Sequence, residues 1–134
     1  VQLELGSVAT AFSRAGGTIQ GELAACQRYY YRTTGSAYTT FGNGFTTSTT
    51  AASIYSNFPV TMRITPTSLE TGGTIQLNAS GGQFTASSLT FASNESSPTI
   101  GKFSAALTGA TANQPGVLRA GNDTTAYLGW NAEL

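Results

Sequence analysis

Histidine does not occur among the 134 residues, and cysteine, methionine and tryptophan occur once each. Without imidazole there is no Ser–His nucleophile pair and no histidine metal cluster. A lone Cys26 rules out a disulfide within the chain. This fits synthesis in a reducing cytoplasm, or a protein that does without crosslinks. Charge is scarce as well: Asp, Glu, Lys and Arg are 9% of the residues, six basic against six acidic. A neutral chain with scattered arginines has no basic stripe to neutralise phosphates, which excludes nucleic acid as the expected partner. No apolar run approaches the ~20 residues of a membrane span, so no membrane insertion is expected. No charged-then-apolar leader opens the chain, and Val1 in place of Met points to a fragment of something longer.

Large aliphatic side chains are thin. Leu, Ile, Val and Phe number 26 of the 134 residues, a share that borders on disordered sequences, but disorder also calls for high net charge. The bulk of the chain is small and polar instead. Thr (22), Ala (18), Gly (16) and Ser (14) exceed half of it, with aromatics at 10%. The length is that of one domain, which should bury roughly 70% of its unfolded surface. With so few large aliphatics, part of that burial is expected from other copies of the chain.

Val1 to Leu5 alternates apolar and polar, the pattern of a half-buried strand, and Ala15-Gly16-Gly17 forms a joint. Residues 1–17 therefore read as the last strand of a preceding domain plus a linker, and 18–134 as the domain itself. Thr18 to Arg28 reads as a helix. Thr18 can cap its first turn, Glu22 suits the positive end, and Ile19, Leu23, Cys26 and Tyr30 form one apolar stripe. On that stripe Cys26 is expected to be buried and inert. The helix should run out in Tyr29-Tyr30-Tyr31, since consecutive aromatics favour strands.

Beyond it the pattern is all β. Gly42-Asn43-Gly44 signals a tight turn within Tyr38 to Phe45. Thr46 to Ser53 reads as extended edge or loop. Phe58 to Ile64 alternates with Phe58, Val60, Met62 and Ile64 on one face. Further strands are expected at Gly73–Ala79, Gln83–Phe91, Gly101–Leu107, Gly116–Ala120 and Thr125–Leu134. Six or seven short strands with frequent turns predict an antiparallel β-sandwich or jelly roll, the one helix packed on an edge or end.

Little catalytic chemistry is on offer. Glycoside hydrolysis needs two carboxylates about 5–10 Å apart, but Glu22, Glu70, Glu95, Asp123 and Glu133 sit in no recognisable motif. No enzyme, cofactor or metal is expected. Asn122 and Asp123 could join carbonyls around a hard cation, although an Asn-Asp pair is foremost a turn former. Asn78-Ala79-Ser80, Asn94-Glu95-Ser96 and Asn122-Asp123-Thr124 match the N-glycosylation pattern, as a Thr/Ser-rich chain does by chance. Sugar binding suits the composition better, through aromatic faces and Asn, Asp, Thr and Arg side chains. The candidate ligand residues are Tyr38, Phe41 and Asn43, then Asn94, Asn113 beside Gln114, and Asn122 with Asp123. The competing reading makes the aromatics core and the Asn residues turn formers. Tyr127 and Trp130 are assigned to core or subunit interface.

Val1-Gln2-Leu3-Glu4-Leu5-Gly6-Ser7-Val8-Ala9-Thr10-Ala11-Phe12, followed by Gly21-Glu22-Leu23-Ala24-Ala25-Cys26-Gln27-Arg28-Tyr29-Tyr30, resembles the C-terminal region of tailed-bacteriophage structural proteins, especially tail fibres, spikes and other appendages. Phe58-Pro59-Val60-Thr61-Met62-Arg63, Thr65-Pro66-Thr67 and the ending Ala132-Glu133-Leu134 look like later landmarks of the same domain. Arg14 to Gly17 depart from the Pro/Glu/His-rich joint common there. The resemblance implies a homotrimeric, mostly β tip that recognises a host-surface receptor such as a glycan. It implies a place in the virion, after synthesis in the bacterial cytoplasm, and contact with upstream domains of the same fibre. It brings no catalytic residues. The candidate trimer interface is the helix stripe (Ile19, Leu23, Tyr30) and the Phe58, Val60 and Met62 face; the same residues would otherwise fill the monomer's own core. Two alternatives stand beside this reading: a structural trimerisation or capsid-decoration module without receptor contact, and the carbohydrate-binding accessory module of a depolymerase.

Overall fold

The computed structural model describes Arg14 and residues 17–133, with one α-helix and ten strands among them. Helix α1 spans Ile19–Gln27. It begins where the sequence placed its cap: the Thr18 hydroxyl accepts from the Gly21 N–H at 3.0 Å, satisfying one of the donors that a helix start leaves open. Glu22 in the first turn pairs with Arg14 at 2.9 Å.

The strands are β1 (Tyr30–Thr34), β2 (Thr40–Thr46), β3 (Ala51–Asn57), β4 (Ser68–Gly72), β5 (Ile75–Ala79), β6 (Gly82–Thr85), β7 (Ser88–Phe91), β8 (Ile100–Ala106), β9 (Pro115–Ala120) and β10 (Tyr127–Asn131). All their pairings are antiparallel. They form a three-stranded sheet, β1-β10-β4, and a seven-stranded sheet, β6-β5-β9-β2-β3-β8-β7. The long sheet is strongly curled. Its two edges, β6 and β7, are separated in the chain only by Ala86 and Ser87. The Ala86 N–H donates to the Ile75 carbonyl and the Ser87 N–H to the Ala106 carbonyl, each at 2.9 Å. The linker therefore binds both flanks of the sheet at once.

Inside the curl, Ile54, Leu77, Phe103, Ala105, Leu118 and Ala120 are fully buried, and the small sheet adds Leu128 and Trp130. Trp130 is the hub. Its ring meets Phe58 and Phe91 edge-on, at centroid distances of 5.3 and 5.5 Å, and Phe103 at 5.5 Å. Such contacts add to what burial alone contributes. Among the described residues, six of the sixteen buried apolar ones are alanines. Small side chains let the strands of a curled sheet pack closely, so a chain poor in large aliphatics still builds a continuous core.

Several expectations are corrected. Gly42-Asn43-Gly44 is no turn but the middle of β2. Glycine is needed at 44 because a Cβ there would collide with the Ser53 carbonyl of the adjacent strand. The low-complexity stretch from Thr46 holds a turn and then β3, a central strand. Thr46 itself is buried, its hydroxyl donating to the Thr111 carbonyl at 2.5 Å and accepting from the Gln114 N–H at 2.9 Å. Phe58 to Ile64 makes no strand. Gln83–Phe91 is two strands, the opposite edges of the sheet. Strand β4 was not anticipated, and the strands expected at Gly73 and Thr125 begin two residues later, at Ile75 and Tyr127.

Cys26 is exposed rather than buried, and no residue of α1 is buried. Met62 and Phe58, offered for a trimer interface, serve the protomer's own core. Met62 is 2% exposed and Phe58 packs between Tyr31 and Trp130, while Val60 is half-buried. The strand read at Val1–Leu5 and most of the joint before the helix lie outside the described residues.

Candidate functional site

Strand alternation gives the long sheet an inner and an outer face, and register lines up the outer one. Gln83, Asn78, Val117, Asn43, Tyr55 and Lys102 form one row across six strands. At about 4.8 Å per strand this row runs roughly 24 Å around the curl. A second row holds Thr85, Gln76, Arg119 and Thr40, and a third Pro115, Phe45, Ser53, Ser104 and Thr90. Phe45, next to the end of β2, and Tyr55, within β3, are 43% and 38% exposed on this face.

Tyr38 projects beside this face from the loop between β1 and β2. It is 49% exposed and its backbone is left-handed, with φ of 67°. For a bulky side chain that conformation costs on the order of 1–3 kcal/mol and persists only where its surroundings impose it. The Arg119 guanidinium lies 4.8 Å from the centre of the Tyr38 ring. The Arg119 Nε–H is buried with no acceptor among the described residues, a costly arrangement that calls for a reason. A strained tyrosine and an under-satisfied arginine thus meet at one corner of an aromatic, amide-rich surface.

The remaining candidates divide. Asn43 is exposed in the centre of the first row, between Val117 and Tyr55. Asn94 is exposed in the turn Ser93–Glu95, next to the Glu95–Lys102 ion pair that ends that row. The Glu95 bond raises the Lys102 ammonium above its usual value. Phe41 is not a ligand residue: it is 5% exposed. Simple alternation would group it with Asn43 and Phe45, but a bulge between Thr40 and Gly42 turns it into the core. Asn113 shapes a turn, with φ of 59° and its N–H donating to the Thr46 carbonyl, at the end of the sheet away from Tyr38.

Asn122, at φ 53°, also shapes a turn. Asp123 beside it acts as a clamp. One carboxylate oxygen accepts from the Thr125 hydroxyl at 2.6 Å and the Thr125 N–H at 2.8 Å; the other accepts from the Thr74 N–H at 2.6 Å. These bonds, the Thr125 hydroxyl first, hold the carboxyl down to about 2. With both oxygens committed to the protein, Asp123 ties the β9–β10 turn to the start of β5. Among the described residues no three metal-ligating side chains of the His, Cys, Asp and Glu types converge, and no helix is long and apolar enough to cross a membrane.

Of the interface candidates, Ile19 and Leu23 are 62% and 56% exposed on α1. Tyr30 faces outward on the small sheet, its hydroxyl donating to Glu70 at 3.0 Å. Arg119, Tyr55, Phe45 and Lys102 were missed because register, not sequence proximity, brings them together. The signal that could have found them is the alternation of Asn43 with Phe45 and of Ser53 with Tyr55.

No protein-family model, curated protein or solved structure matches the chain.

Proposed function

We propose that this domain is the receptor-recognising tip of a bacteriophage tail fibre or related virion appendage, binding a host-surface glycan without turnover. The observation that carries it is the outer face of the long sheet, where exposed Tyr38, Phe45 and Tyr55 share a surface with Asn43, Gln76, Asn78 and Arg119. Aromatic faces cover the C–H surfaces of sugars, and amides and guanidinium serve their hydroxyls. The face is shallow, so useful avidity would come from repetition, which suits a homotrimer at the end of a fibre.

Adsorption of the labelled chain to a panel of bacterial cells tests this reading. Tyr38→Gly removes the ring while relieving the left-handed backbone, so it should abolish adsorption with melting temperature unchanged or raised. If Tyr38→Gly adsorbs like the parent chain, the Tyr38 face is not the receptor site. If the domain adsorbs to no host while the intact appendage does, recognition belongs elsewhere. The domain would then be a structural module, a second reading favoured by the exposed Ile19, Leu23 and Tyr29.

A further inference from the structure

The outward face of the small sheet carries another array, built around two glycines. Arg32, Gly129 and Glu70 stand side by side on β1, β10 and β4. Gly129 leaves a gap that Tyr30 fills from the neighbouring row: a Cβ at 129 would lie 2.5 Å from the phenol oxygen. That oxygen continues to the Glu70 carboxylate, donating at 3.0 Å. One row further, Tyr127 crosses Gly72 so closely that a Cβ there would collide with its ring. The Arg32 guanidinium lies 3.7 Å over the centre of the Tyr127 ring. Burial, then the bond to Glu70, raises the Tyr30 phenol above its ordinary value and keeps it a donor.

Rings laid over glycines are a known way to firm a sheet, and that explains the tyrosines. It does not explain the charges. Arg32 and Glu70 flank the same glycine with opposite sign, yet the ion pairs among the described residues are Arg14–Glu22 and Lys102–Glu95. The two stand about two strand spacings apart, near 10 Å, one stacked on Tyr127 and the other held by Tyr30. An anion entering between them meets Glu70, and a cation meets Arg32. A neutral molecule carrying both donors and acceptors is served by both, and the half-buried Tyr30 ring between them offers an apolar platform.

We propose that Tyr30, Glu70, Arg32 and Tyr127 form a second binding site, selective for a neutral pyranose. The sugar's C–H face lies on Tyr30, one hydroxyl donates to the open oxygen of Glu70, and another accepts from Arg32. This rests on the glycan-binding reading above and places a sugar contact on a different sheet from the Tyr38 face.

Backbone amide NMR on the labelled 134-residue chain decides it, titrating neutral tetrasaccharides of glucose, mannose and galactose against tetragalacturonate. A neutral tetrasaccharide is expected to shift the Gly72 and Gly129 amides. Glu70→Gln should weaken that binding about tenfold, the loss of a hydrogen bond to a charged group, while its other amide positions stay native. Stronger shifts with tetragalacturonate overturn the neutral class. Shifts confined to Asn43, Tyr55 and Arg119 overturn this site and leave the glycan reading standing. Amides at 72 and 129 that respond only to protein concentration make the face a contact between copies and overturn the proposal. No shift on either face also overturns it, while adsorption of the chain and of Tyr38→Gly to cells, which needs no knowledge of the sugar, judges the function separately.

Discussion

Helix α1 and the segment from Phe58 to Ile64 each carry a patterned apolar face, one at helical spacing and one strictly alternating, and the two end in opposite surroundings. Ile19 and Leu23 are more than half exposed, whereas Met62 is 2% exposed and Phe58 rests against Trp130. The difference follows from how each is tethered. The irregular segment is stitched to its neighbours by backbone bonds: Phe58 N–H to Thr99, Met62 N–H to Pro98, Arg63 N–H to Arg28 and Thr67 N–H to Asn131, at 2.7 to 3.1 Å. These bonds hold Met62 in the core and Phe58 against Trp130. The helix has a cap and one ion pair with Arg14, and no residue of it is buried. An apolar stripe therefore says that a surface seeks cover. It does not say whether the cover comes from the same chain.

The largest expected effect tests the buried member of the pair. Met62→Ala should destabilise the fold by about 2–5 kcal/mol, the usual cost of truncating a core methionine, read from denaturant midpoints with an unchanged slope. A loss below about 0.5 kcal/mol, typical of surface changes, would mean that the 58–64 segment is not part of the protomer core. The contrast between the two stretches would then vanish.

A smaller effect is expected at the helix. Thr18→Ala removes the hydroxyl that satisfies the Gly21 N–H and should cost about 1 kcal/mol of helix stability. A nine-residue helix is marginal by itself, and none of the residues of α1 is fully buried. The loss should therefore be local, faster amide exchange in Ile19–Gln27 with the global midpoint unmoved. A midpoint that falls by the full amount would show the helix to be coupled to the core.

How much of this was readable beforehand follows the same division. The Thr18 cap and the cores of β5, β8 and β9 were legible, because local chemistry and period-2 alternation mark them directly. Gly42-Asn43-Gly44 misled because the residues that make turns also permit close strands, and only the Ser53 carbonyl on β3 decides which applies. Strand β4 has Leu69 as its one apolar residue of weight and so shows no pattern; its place comes from pairing with β10. At the candidate site, Tyr38 and Asn43 were legible by type, but Phe41 was reversed by a bulge that leaves no mark in sequence. Arg119 and Tyr55 join the site only through register, which is a property of four strands together.

The smallest expected change in fold stability, and the sharpest test of the comparison, lies on the exposed stripe. Ile19→Glu and Leu23→Glu together place charge where apolar surface now meets water. Glutamate is a good helix former, and at position 19 it complements the positive end of the helix. The chain's own fold should therefore change by less than about 0.5 kcal/mol, with core amide protection retained. Association is another matter. If a threefold contact covers this stripe, two buried carboxylates per protomer oppose it, and light scattering should show a trimer for the parent chain and a monomer for the double variant. A parent chain that is monomeric at high micromolar concentration removes the trimer outright. A double variant that remains trimeric moves the contact away from α1, leaving the stripe uncovered by any copy of this chain.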